Sequence, residues 1–162
     1  MADRTDARDS WIAKVSEQLY FAHTVLDSNE TTTAKAADFR SAAALHFLAM
    51  AYAAFVGEIL VASGESSGRD VDIRAFLTQL PQSRSPEIAR LAELSQGSTW
   101  LTEFLATYHQ YWAVAPPKPI KPPVAILAVD TAVKPLTLDI CREWLKELRE
   151  LINTVLDSVA EF

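Results

Sequence analysis

Apolar residues recur at intervals of three and four along most of this chain, the period of a helix that buries one face. From Asp9 or Ser10 to about Asp27 the stripe is Ile12, Val15, Leu19, Ala22 and Leu26, widened by Trp11 and Phe21. The polar run SNETTT (28–33) stops this helix, and its threonines offer N-caps for the next. A second helix is predicted from about Ala34 to Ala62, ending at Ser63-Gly64. Residues 63–69 read as a turn, and DVDIRAFLTQL as a short helix that Pro81 terminates.

Ser85-Pro86-Glu87 is a helix start. The hydroxyl caps, the proline takes the first helical position, and the acid sits at the positive end of the dipole. This helix carries Ile88, Leu91 and Ala92 inward and ends at Gly97, expected in the left-handed conformation. Ser98 or Thr99 caps the following helix, striped by Trp100, Leu101, Phe104, Leu105, Tyr108, Tyr111 and Trp112. The last helix starts at a Thr137 cap with Asp139 behind it. It repeats Trp144, Leu148, Leu151, Val155 and Val159. Between the last two helices lies APPKPIKPP (115–123), which cannot be helix or central strand and is expected as polyproline II. The run VAILAV (124–129) then fits a short buried extended segment, although periodicity alone does not separate that from a helical turn.

The predicted fold is all-α: an antiparallel bundle of four longer helices with one or two short ones, in a single domain spanning 1–162. Residues 1–8 are expected as a disordered tail and 115–136 as a proline-rich extended connector wrapping outside. At 162 residues there is little room for a second domain.

Composition narrows the function classes. With 15 Lys+Arg against 21 Asp+Glu, the net charge of −6 argues against nucleic-acid binding through a broad basic face. The single cysteine, Cys141, excludes an intramolecular disulfide framework. MADRTDARDS has no apolar stretch behind it, so no secretory signal is expected and the expected compartment is the cytoplasm. Residues 42–62 have the length of a membrane span. Their many alanines contribute little to insertion, however, and Glu58 would cost about 3 kcal/mol at depth. A central helix buried by its neighbours is the better reading, and no membrane is expected.

Several letter patterns lack the context their chemistry needs. Gly64-Glu65-Ser66-Ser67-Gly68 spells G-x-S-x-G, but a nucleophile elbow needs a strand before it, and a helix precedes this one. His23, His46 and His109 fall on different helices with no Glu-x-x-His spacing, so no metal site and no cofactor is expected. The Trp100-Phe104-Tyr108-Trp112 stripe could stack flat ligands. No basic residue lies between Arg90 and Lys118 to hold a phosphate, and core packing is the ordinary role of such a stripe. PPKPIK (116–121) fits a P-x-x-P ligand, for which a strap across the bundle is the ordinary explanation.

Four stretches carry a resemblance: LYFAHTVLD (19–27), AALHFLAMAYAAFVGEIL (43–60), WLTEFLATYHQYW (100–112) and WLKELRELI (144–152). Together they resemble a family of small helical proteins of unknown function from Pseudomonas and related gammaproteobacteria. The resemblance implies a bacterial cytoplasmic helical protein and carries no catalytic residues. Separately, Arg40 and His46 (RSAAALH) resemble the arginine-then-histidine signature of HEPN-type ribonucleases. There an arginine would hold the scissile phosphate and a histidine move a proton. Six residues at 100° each place these two side chains about 120° apart, which leaves Arg40 as a surface charge near a helix start.

No constellation therefore marks an enzyme. The function expected is protein–protein association, through a homodimer or a helical partner. The alternative is a HEPN-like metal-independent ribonuclease or a toxin/antitoxin-associated helical domain, resting on Arg40 and His46. The second helix is apolar or small on nearly every side, and its residues Tyr52, Phe55 and Ile59 are the candidate contact positions.

Overall fold

The computed structural model describes residues 2–28, 33–66, 72–113 and 135–160, with side chains from Ser10 to Ser158 within those ranges. Every regular element among them is a helix: α1 (Ala2–Asp27), α2 (Ala34–Ala62), α3 (Ala75–Thr78), α4 (Pro86–Gln96), α5 (Trp100–Trp112) and α6 (Leu138–Ala160). The predicted start signals operate as hydrogen bonds. Hydroxyls accept from backbone amides at Thr33 (from Ala36, 3.2 Å), Ser85 (from Ile88, 3.4 Å), Thr99 (from Thr102, 3.5 Å) and Thr137 (from Ile140, 3.2 Å). Each satisfies an amide that the first helical turn leaves without a partner.

Two local expectations are corrected. α1 opens at Ala2, so residues 2–8 are helical backbone and not the tail expected of them. Gly97 is not left-handed. Its φ of −89° and ψ of −179° are extended, and the adjoining turn is closed instead by Thr102, whose hydroxyl donates to the carbonyls of Gly97 and Leu94. Among the described residues the positive-φ glycine is Gly64, at 75°, just beyond α2, where Glu65 N–H returns to the Leu60 carbonyl at 2.9 Å. The expected proline-rich connector lies almost entirely outside the described residues, as does the extended run 124–129.

α1 and α2 form a long hairpin running in opposite directions. Arg40 meets the carbonyl of Leu26, Phe47 meets Phe21, and Gly57 meets Trp11, so positions that rise along one helix fall along the other. At Gly57 the indole of Trp11 lies 3.4–3.5 Å from where a Cβ would stand.

α2 is the axis of the core. Every residue from Ala51 to Val61 is buried, including Glu58. α6 contributes Trp144, Leu145, Leu148, Leu151, Ile152 and Val155. Its first turn lies towards the turn end of the α1–α2 hairpin, where the Cys141 thiol donates to the Ser41 carbonyl at 3.6 Å. α5 enters through Leu101 and Phe104, the ring of Phe104 lying edge-on to both Tyr52 and Trp144. α2 is long and apolar enough to cross a bilayer by length and composition, but 83% of its most apolar window is buried within this chain.

Candidate interaction surface

The positions expected to make contacts are not on the surface. Tyr52 and Phe55 have no exposed area and Ile59 is 3% exposed. An apolar helix surrounded by other helices buries all its faces, and the ring of Phe104 on α5 lies edge-on to Tyr52. Tyr52, Phe55 and Ile59 are core residues.

The exposed aromatic rings lie elsewhere. Phe39, in the first turns of α2, is 74% exposed. From it the steps Ala43, His46 and Met50 follow one side of the helix at intervals of four, three and four. His46 and Met50 are half-buried. Beside this row the rings of Phe47 and Phe21 meet at 5.4 Å between centroids, joining α2 to α1, and Tyr20 extends the group at 6.2 Å from Phe21. His46 lies edge-on to Phe47 at 5.7 Å. The result is an aromatic surface carried by two helices, with Tyr20, Phe21 and Phe39 all open to solvent. One turn before Phe21, Lys14 binds Glu17 at 2.7 Å, and this hydrogen bond with the ammonium holds the Glu17 carboxyl below its usual range.

A second exposed pair, Tyr111 and Trp112, ends α5, their rings 5.4 Å apart and nearly perpendicular. Phe39 escaped the sequence reading because it stands alone within KAADFRS, off the apolar stripe of its helix. That offset was the available signal, since a phenylalanine among polar neighbours at a helix start has no core face to join.

Arg40 and His46 are directed to different tasks. The Arg40 guanidinium reaches across to α1, donating from Nε to the Val25 carbonyl (2.9 Å) and from Nη2 to Leu26 (3.2 Å) and Ser28 (2.9 Å). These are the terminal carbonyls of a helix, where a cation is stabilised by the helix dipole. Arg40 is thus a tertiary cap and not the surface charge expected. His46 lies instead on the aromatic face. His23 is exposed, while His109 shares a hydrogen bond at 2.8 Å between its Nε2 and the Leu77 carbonyl, tying α5 to α3. Among the described residues no three His, Cys, Asp or Glu side chains gather in a metal-binding group.

Cys141 is fully buried, and burial pushes its thiol up to about 12, so it is not a nucleophile near neutral pH. Burial likewise raises the Tyr52 phenol above its ordinary value.

Residues 10–162 match a family of unknown function, DUF6586. The chain belongs to the DUF6586 family. No curated protein and no solved structure matches it. The match takes in nearly the whole of this DUF6586 chain, from the described side chains of α1 to the end of α6.

Proposed function

We propose that this DUF6586 protein works without catalytic chemistry of its own, by associating with a second protein chain through the α1–α2 aromatic face. Pairing with its own copy is the simplest form of that association. The observation that carries the reading is Phe39, 74% exposed on the same side of α2 as His46, whose ring lies edge-on to Phe47 of the Phe21–Phe47 pair. Covering such a ring stabilises a complex by about 1.5–3 kcal/mol, and aromatic rings are enriched at the centres of protein interfaces. A two-fold pairing would bring the same surface from both copies together. The antiparallel bundle of four longer helices belongs to the same reading, supported by the opposed directions of α1 and α2. So does the reading of α2 as a core helix and not a membrane span, supported by its burial among its own neighbours.

The test is size exclusion with light scattering at micromolar concentration, on the full chain and on Phe39→Glu and Phe21→Glu. The expected result is a dimer that both substitutions reduce to monomer while the helical circular dichroism signal and cooperative unfolding are retained. A strict monomer at all concentrations refutes self-pairing. A dimer indifferent to both substitutions removes this face from the interface.

A further inference from the structure

We draw no further inference here: the strongest candidate, the exposed Tyr111–Trp112 ring pair at the end of α5, is an aromatic patch for which nothing among the described residues shows what covers it.

Discussion

Arg40 and Arg142 converge on one carbonyl oxygen, that of Leu26, at 3.2 and 2.9 Å. One arginine comes from α2 and the other from α6, so the last turn of α1 is capped by two other helices. Carbonyls at a helix end carry partial negative charge and lack partners within the helix. Arg40 ties α2 to α1 within the hairpin, and Arg142 fastens the hairpin to α6.

Arg40→Ala should destabilise the protein by about 2 kcal/mol, since hydrogen bonds to a charged group contribute about 1.5–3 kcal/mol. Arg142→Ala should cost about 1 kcal/mol or less, because its side chain is half-exposed and also pairs with Asp139 at 2.8 Å. The double substitution should cost a different amount from the sum, as both groups share an acceptor. Urea unfolding of the four proteins measures this, and Arg40→Lys should recover only part of the loss because an ammonium lacks the fork.

Tyr52→Phe should leave stability unchanged or raise it by about 0.5–1 kcal/mol. Among the described residues the buried Tyr52 hydroxyl has no hydrogen-bond partner, and removing an unsatisfied buried group relieves its desolvation cost. Tyr52→Glu should prevent folding. Thermal unfolding separates the two, and a clear loss in Tyr52→Phe would show that the hydroxyl is satisfied in solution.

Cys141 predicts an alkaline limit. Its thiol is raised from 9.0 to about 12 by burial, so above pH 9 the unfolded chain ionises while the folded chain does not. The stability it contributes is complete below pH 9 and is lost as pH rises towards 12. Cys141→Ala should flatten the decline of unfolding free energy between pH 9 and 11 by about 1.4 kcal/mol per pH unit. A thiol reagent should not modify the native protein at neutral pH.

Gly57→Ala should stabilise the chain by about 0.5–1 kcal/mol. Glycine within a helix is penalised by that amount, and a methyl group here would meet the Trp11 indole at ordinary contact distances of 3.4–3.5 Å. Gly57→Leu has no such space and should destabilise by separating α1 from α2. Denaturation midpoints of both variants test the packing.

The helices were legible because their signals are local. A capping hydroxyl acts on an amide two or three residues away, and a stripe at intervals of three and four needs only one helix to define it. Ser85 and Thr137 therefore stood in the sequence as the starts they are, and Thr33 and Thr99 lie within the capping runs expected there. The extent of α1 beyond Ser10 and the backbone of Gly97 did not, because neither follows from a side chain at that position.

What the sequence by itself determined was the helical class, most helix boundaries and the burial of α2. Its uniform apolar character specified that α2 must be covered, yet it held no information on which neighbour covers which side. Only the tertiary structure decided that Tyr52, Phe55 and Ile59 face their own chain while Phe39 faces water. It alone decided that Arg40 serves α1, jointly with an arginine from α6. The reason is physical. Helix formation follows from neighbours along the chain, whereas the partner of a side chain is set by how distant helices pack to exclude water.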